Sequence, residues 1–137
     1  MRFETQKDLD REIQAIELFV SRFKGSYKKL DPNDIDFRIF DESGKLIAYA
    51  EVKGRNRPIA NAYPLPISAS KLVKLCSKIL NPVVIWACTD GIIYGKVMEI
   101  SGSIKWGGRE PREGAANDME LMVYYDKQKE FRYIRYY

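Results

Sequence analysis

The most constraining feature of this chain is a pair of alternating segments joined by a short polar turn, within residues 33–55. In the first segment Ile35, Phe37 and Ile39 alternate with polar residues. Because successive strand side chains point to opposite faces, this spacing predicts a β-strand with one apolar face. The turn that follows, DESG, ends in Gly44, which can adopt the positive φ that closes a short hairpin. The chain is therefore predicted to be organised around a β-hairpin.

The predicted hairpin brings together three charged residues. In the return strand, Glu51 and Lys53 are two residues apart and share a face, and folding about the turn sets Asp36 roughly opposite Ala50 and Glu51. Two neighbouring carboxylates repel each other and need a shared cation, and hard oxygen ligands suit Mg²⁺ or Mn²⁺. A lysine on the same face could orient a water molecule or offset charge developing on a phosphate under attack.

The spacing of Asp36 and the triplet Glu51-Val52-Lys53 resembles the motif of the PD-(D/E)XK nuclease superfamily, which includes restriction enzymes, Holliday-junction resolvases and phage repair nucleases. The resemblance implies that Asp36, Glu51 and the backbone carbonyl of Val52 bind Mg²⁺, for which Mn²⁺ can substitute. It also implies that Lys53 positions or activates the attacking water. The proline that often precedes the aspartate is absent, and Asp34 competes with Asp36. Asp36 is favoured because Asp34 would lie nearer Lys53 than Glu51 in the hairpin.

An amphipathic helix is predicted over residues 6–24, where apolar residues recur at three- and four-residue intervals and Gly25 follows as a stop signal. Glu12 borders the apolar stripe of this helix. In many members of the resembled superfamily the first helix supplies an acidic residue to the metal site, and Glu12 is the candidate here. The alternative is a solvated glutamate at the edge of the stripe.

A second helix is predicted over about residues 67–80, ending before Pro82. Its apolar face includes Cys76 and Ile79, and its other face carries a basic stripe of three lysines. Contact with DNA is the functional interpretation of this stripe, and a solvated helix face is the alternative. By resemblance, Lys71 or Ser68 is the residue of this helix that assists the metal centre.

The order of the predicted elements matches the αβββαβ core that the resemblance implies, so the chain is expected to have an α/β, restriction-endonuclease-like fold. Its central mixed sheet would be flanked by helices and extended by C-terminal strands. A continuous apolar run at residues 83–88 predicts a strand buried on both faces. The other predicted strands are an edge strand (26–30), a return strand after the turn at Asp90 (92–100) and a closing hairpin (121–125 with 131–136). The whole chain, 1–137, is predicted to be one domain.

Basic residues outside the motif hairpin are candidates for binding the DNA backbone. They lie in the loop after the second hairpin strand, on the second helix and in residues 101–118, predicted as a loop in which they interleave with Trp106 and glycines. The alternatives are solvated surfaces and a Trp106 buried in the core. The nucleic-acid-binding candidates are Arg55, Arg57, Lys71, Lys74, Lys105, Arg109 and Arg112.

Composition limits the chemistry and the setting. The absence of histidine among 137 residues excludes Ser-His and Cys-His triads, HNH-type nucleases and imidazole zinc sites. The net charge of +4 favours polyanionic partners. Two cysteines without metal-type spacing or a disulfide framework indicate a reducing, cytoplasmic setting, in the nucleoid or a phage-infected cell. No membrane span, signal peptide or organic cofactor is predicted.

The leading functional hypothesis is a metal-dependent endonuclease acting on DNA. No separate sequence-reading domain fits within 137 residues, so cleavage directed by DNA structure, or only weakly by sequence, is favoured: junctions, flaps or nicked duplex, in phage DNA processing or host repair. The alternatives are an enzyme acting on RNA and a non-catalytic nucleic-acid-binding or assembly module that retains the fold. A junction resolvase would need a homodimer, to which the aromatic C-terminal tail could contribute.

Overall fold

A computed structural model describes residues 6–30, 37–78, 80–107 and 119–137. The strands form a six-stranded sheet in the order β1-β2-β3-β5-β6-β9 and a three-stranded sheet in the order β4-β8-β7. The elements are α1 (Gln6–Ser21), β1 (Ser26–Lys29), β2 (Phe37–Phe40), β3 (Leu46–Gly54), a 3₁₀ turn η1 (Ile59–Asn61), β4 (Leu65–Ser68), α2 (Ala69–Cys76), β5 (Pro82–Ala87), β6 (Gly91–Lys96), β7 (Ser103–Gly107), β8 (Glu120–Tyr125) and β9 (Arg132–Arg135).

The predicted hairpin is confirmed as β2 and β3. The two strands pair antiparallel, with Phe37 opposite Ala50. In the turn, a carboxylate oxygen of Asp41 accepts hydrogen bonds from the amides of Ser43 and Lys45, each at 2.9 Å, and Gly44 has a φ of 87°. Turn geometry and alternation therefore specify the same register.

The six-stranded sheet is mixed, because β3 and β5 run parallel whereas the other neighbouring strands run antiparallel. Strand β5 is buried along its whole length, as its apolar run predicts. Val83 and Ile85 face α1, whereas Val84 and Trp86 face α2 and the small sheet. The predicted α/β architecture, with helices on a central mixed sheet, is confirmed. Within the described ranges, no helix is long and apolar enough to cross a membrane.

Helix α1 is confirmed, but it ends at Ser21, earlier than predicted. Gly25 is part of the turn that follows the helix, but it is not the residue with the positive φ. Lys24, with a φ of 56°, adopts the left-handed conformation. The amide of Gly25 donates to the carbonyl of Val20 at 3.0 Å, which closes the helix end. A Cβ at Gly25 would clash with the carbonyl oxygen of Phe40. Glycine is needed here for close approach to β2 rather than for a positive φ.

The start of the second helix differs from the prediction. Residues 65–68 form β4, and α2 begins only at Ala69. The hydroxyl of Ser68 accepts a hydrogen bond from the amide of Lys71 at 3.2 Å, which is the geometry of a helix N-cap. The pairing of β4 with β8 is a long-range contact that no local pattern around Pro66 indicates. Ile79, predicted on the buried face of this helix, lies outside the described residues.

The prediction of a closing C-terminal hairpin is wrong. Strand β8 pairs with β4 and β7, whereas β9 pairs with β6 in the large sheet. The segment between them crosses from one sheet to the other, and Phe131 fills the space between, with its ring 5.7 Å from Trp86 and 6.0 Å from Tyr125. Residues 103–107, predicted as loop, form β7. Alternation indicates which face of a strand is buried but not which strand pairs with it.

Candidate active site

Glu51 and Lys53 lie on β3 beyond the last described pair of the hairpin. The last described pair between β2 and β3 is Phe37 with Ala50, and β3 continues to Gly54. In the parallel pairing with β5, Glu51 lies beside Val84 and Lys53 beside Trp86, both of which face α2 and the small sheet. The side chain of Glu51 is only 4% exposed, and Lys53 is half-buried.

Helix α2 supplies a cation to the buried carboxylate. The Nζ atom of Lys71 donates a hydrogen bond to Oε1 of Glu51 at 2.9 Å. The Ser68 cap fixes the first turn of α2, which carries Lys71. The Lys71 side chain is 54% exposed, so it connects the buried carboxylate to the surface. A buried carboxylate is stable only when its charge is compensated, and Lys71 contributes that compensation.

Glu12 binds a different lysine. Its Oε2 atom accepts from Nζ of Lys29 on β1 at 3.1 Å. Lys29 in turn lies 5.4 Å from the ring centroid of Phe37, the first described residue of β2. Glu12 is therefore placed near the start of β2, on the helix that covers the other face of the sheet. Asp36 precedes Phe37 in the sequence, and both Asp36 and Asp34 lie outside the described residues.

The geometry of β3 and α2 agrees with a comparison of the whole chain with protein families. Residues 1–134 match the family described as "Phage putative PDDEXK endonuclease". The chain belongs to this family. The match includes the motif hairpin, both helices and nearly all of both sheets, so the resemblance of the chain to the PD-(D/E)XK nuclease superfamily is confirmed. Searches of curated proteins and of solved structures returned no match. The description of this PDDEXK family suggests nuclease activity.

The donor atoms of this PDDEXK chain fit a hard divalent cation. Glu51 provides carboxylate oxygen in a buried position, and the carbonyl of Val52 follows it in the chain. Burial, with a smaller contribution from Asp90, raises the pKa of the Cys88 thiol to about 11, which makes this thiol a poor ligand and a poor nucleophile. Among the described residues, no group of three or more carboxylate or cysteine side chains could hold a metal ion.

The two arginines after β3 have different environments. The Arg55 guanidinium donates to the carbonyls of Ala62 at 2.8 Å and Pro64 at 3.3 Å, so it holds the loop that leads to β4. Burial, and then the charge of Arg57, lowers the pKa of Arg55. Arg57 has an exposed side chain. Of the two, Arg57 is better placed to contact a phosphate.

The other predicted DNA contacts lie on α2 and β7. Lys74 and Lys105 are exposed, whereas Arg109 and Arg112 lie outside the described residues. Trp106 is 65% exposed, so the alternative that placed it in the core is wrong. The resemblance implies that Lys71 or Ser68 assists the metal centre, and the structure places Lys71 against Glu51, although the ion pair itself was not predicted. Its only sequence signal is the position of Lys71 in the first turn of the helix that follows the motif.

Proposed function

We propose that this protein is a metal-dependent endonuclease that hydrolyses DNA phosphodiester bonds at the end of β3. The observation that carries the proposal is the burial of Glu51, on the same face as Lys53, in a chain of a nuclease family. Burying a carboxylate costs free energy that an apolar residue at the same position would not require. A buried acid beside a cation in such a place is more typical of a functional site than of packing.

Asp36, Glu51 and the carbonyl of Val52 would hold the metal. Glu12 is a further acidic candidate, although its helix covers the other face of the sheet and its carboxylate binds Lys29. When bound, Mg²⁺ would polarise the scissile phosphate as a Lewis acid. Lys71 holds one oxygen of Glu51 in a defined position. Glu51 therefore enters the reaction with its orientation already set, which lowers the cost of assembling the site.

Lys53 is proposed to act on the water and the phosphate. Its position two residues beyond Glu51 places both side chains on one face of β3. The ammonium group can donate hydrogen bonds to an attacking water and to a phosphate oxygen that gains charge in the transition state. Lys53 would thus orient the nucleophile and offset the developing negative charge.

The substrate is proposed to be DNA recognised by structure or weakly by sequence, through phosphate contacts from exposed basic residues. Arg57, Lys74 and Lys105 are exposed cations of this kind, and phosphate contacts carry no sequence information directly. Junctions, flaps and nicked duplex are the candidate substrates. A homodimer would supply the two sites that symmetric junction cleavage requires.

The test is a cleavage panel of labelled single strand, duplex, flap, nicked duplex and four-way junction, each in Mg²⁺, Mn²⁺ or EDTA. We expect cutting of at least one substrate in metal and none in EDTA. Lys53→Ala and Glu51→Gln should each lower the cleavage rate by about 1,000-fold or more. Asp36→Asn should be as damaging, whereas Asp34→Asn should retain most of the activity.

Matched controls come from the turn end of the same hairpin. Glu42 and Lys45 are exposed, so Glu42→Gln and Lys45→Ala make the same chemical changes away from the site and should leave cleavage unchanged. Circular dichroism checks that every variant is folded. If the wild type binds DNA equally well in metal and in EDTA but cuts nothing, the nuclease proposal is wrong and a binding module takes its place.

A further inference from the structure

Strands β7 (residues 103–107) and β8 (residues 120–125) are neighbours in the three-stranded sheet, and we call this pair of strands the β7–β8 ribbon. The ribbon exposes large apolar side chains. Ile104 is 66% exposed, Trp106 65% and Leu121 45%. Trp106 lies directly opposite Leu121, and Ile104 lies opposite Val123. Residues that pair directly share a face of the sheet, so these side chains form one continuous apolar surface.

This apolar surface continues the inner face of the small sheet. Val123 packs in the core between the two sheets, together with Ile67 and Trp86, and it shares its face with Ile104, Trp106 and Leu121. On this face of the ribbon, Val123 is buried and Leu121, two residues earlier in the chain, is exposed. The ribbon therefore extends past the core, with its inner face open to solvent.

The register shows that the ribbon extends towards the candidate active site. Ser68, the last residue of β4, lies opposite Met122, which lies opposite Lys105. Trp106 and Leu121 are one residue further along, in the direction in which the chain leaves β4 and enters α2. The first turn of α2 carries Lys71, which binds Glu51. Trp106 thus lies towards the end of the small sheet from which α2 begins, and α2 is the helix that carries Lys71.

The charge on the ribbon favours a nucleic acid over a second copy of the chain. Strand β7 is the edge of its sheet, and Lys105, exposed in its middle, is the kind of charge that opposes pairing with another strand. Lys105 and Trp106 are consecutive on β7 and therefore point to opposite faces. The exposed indole is suited to a single strand of nucleic acid because bases stack on the ring, and the lysine at the sheet edge attracts the phosphates by its charge.

We propose that the β7–β8 ribbon binds an unpaired DNA segment, with a base stacked on Trp106; Lys105, on the opposite face of the same edge strand, adds attraction to the phosphate backbone through its charge. This inference rests on the proposed function, because it names the substrate class of that site. It assigns the nuclease a preference for DNA that contains unpaired nucleotides over intact duplex. Duplex bases are stacked on one another and cannot offer a face to Trp106 without being unpaired.

The experiment measures binding in EDTA, so it does not depend on cleavage. The chain has two tryptophans, of which Trp86 is fully buried and Trp106 is exposed. An oligothymidylate of about 12 nucleotides should quench the fluorescence of Trp106, and the quench should be absent in Trp106→Phe, which retains only Trp86. In fluorescence anisotropy, Trp106→Ala should bind this strand about 10- to 100-fold more weakly, whereas its affinity for a duplex of equal length should change by less than about 2-fold.

Tyr133→Ala provides the matched control, because Tyr133 is an exposed aromatic on β9, at the edge of the other sheet. The Tyr133→Ala variant should bind the single strand and the duplex with the same affinity as the wild type. Equal loss of single-strand and duplex affinity in Trp106→Ala would overturn the proposal. So would light scattering that shows a wild-type dimer and a Trp106→Ala monomer, because the ribbon would then be a self-interface. The binding measurements in EDTA do not depend on cleavage. A protein that cuts no DNA can therefore still confirm or contradict the role of Trp106, so the two proposals are tested independently.

Discussion

Two carboxylates of this protein make ion pairs of nearly equal length in very different places. Glu51 accepts from Lys71 at 2.9 Å, and Asp90 accepts from Arg135 at 2.8 Å. The side chain of Asp90 is 36% exposed, and that of Glu51 is 4% exposed. Bond length alone therefore does not distinguish them, but burial does.

The surroundings of the two acids explain the difference. Asp90 lies in the turn between β5 and β6, where its other oxygen accepts from the amide of Ile59 at 2.9 Å. It thereby joins that turn to η1 and to β9, which is a structural function. Glu51 lies within a strand, where its contact with Lys71 joins β3 to α2. An apolar residue could pack there without the cost of burying a charge. We infer that Asp90 stabilises the fold and that Glu51 is retained for chemistry.

The largest expected effect is on the cleavage rate, which should depend on Glu51 and not on Asp90. Glu51→Gln should lower the single-turnover cleavage rate by about 1,000-fold or more, because a neutral amide is a poor metal ligand. Asp90→Asn, the equivalent change, should alter the rate by less than about 2-fold. Gel-based cleavage in Mg²⁺ measures both variants. A Glu51→Gln variant that kept a tenth of the activity would place Glu51 with Asp90 as a structural residue.

The second prediction concerns stability, for which a change at Asp90 should have a larger effect than a change at Glu51. Asp90→Ala should lower the free energy of unfolding by about 2 kcal/mol, because the amide of Ile59 loses its acceptor and Arg135 its partner. Glu51→Gln should change it by less than about 1 kcal/mol, since the amide keeps an acceptor for Lys71 and is cheaper to bury. Urea unfolding followed by circular dichroism gives both values. A larger loss for Glu51→Gln than for Asp90→Ala would contradict the comparison.

The third prediction concerns alkaline pH at the Asp90 end of the molecule. Burial, followed by the charge of Asp90, raises the pKa of Cys88 from 9.0 to about 11. The fold thus favours the neutral thiol, and this stabilisation is complete below pH 9 and lost as the pH rises towards 11. The loss should be on the order of 2 kcal/mol. Burial also raises the pKa values of Tyr63, Tyr125 and Tyr136, which adds a loss of the same sign.

The contribution of the Cys88 thiol to this pH dependence can be measured by urea unfolding. The wild type and Cys88→Ala are compared at several pH values between 8 and about 11. The variant should lose less stability over this range and retain the part due to the tyrosines. Identical pH dependence in the two proteins would show that the thiol does not titrate as its burial requires. Glu51→Gln serves as the comparison from the other region and should leave this pH dependence unchanged.

The smallest expected effect tests the partner of Glu51. The Lys71 ammonium repels a divalent cation at the same carboxylate, so Lys71→Met should tighten Mg²⁺ binding by about 5-fold, a modest value because Lys71 is partly exposed. Lys71→Arg keeps the charge and should resemble the wild type. Lys74→Met, one turn along α2, and Arg135→Met, the partner of Asp90, should have no effect. Calorimetric titration measures the affinity, and weaker binding in Lys71→Met would show that the positioning of Glu51 by the lysine outweighs its repulsion of the metal ion.

The sequence predicts those parts of the fold whose cause is local. The β2–β3 hairpin follows from strict alternation and a turn with its own hydrogen bonds, and β5 follows from an unbroken apolar run. The partners of β8 and β9 could not be predicted, because the same alternation allows either a hairpin or two separate pairings. Strand β4 could not be predicted either, because the partner that makes it a strand, β8, comes more than fifty residues later in the chain.

The sequence by itself determined which chemistry is available and which residues share a face. Without histidine, the chain has carboxylates and lysines for hydrolysis, and Glu51 and Lys53 share a face because the strand repeat is two residues. Only the tertiary structure decided that Glu51 is buried, that Lys71 compensates its charge and that Trp106 is exposed at the end of a ribbon. Burial and partner choice arise where elements distant in the sequence pack together, so no local pattern contains them.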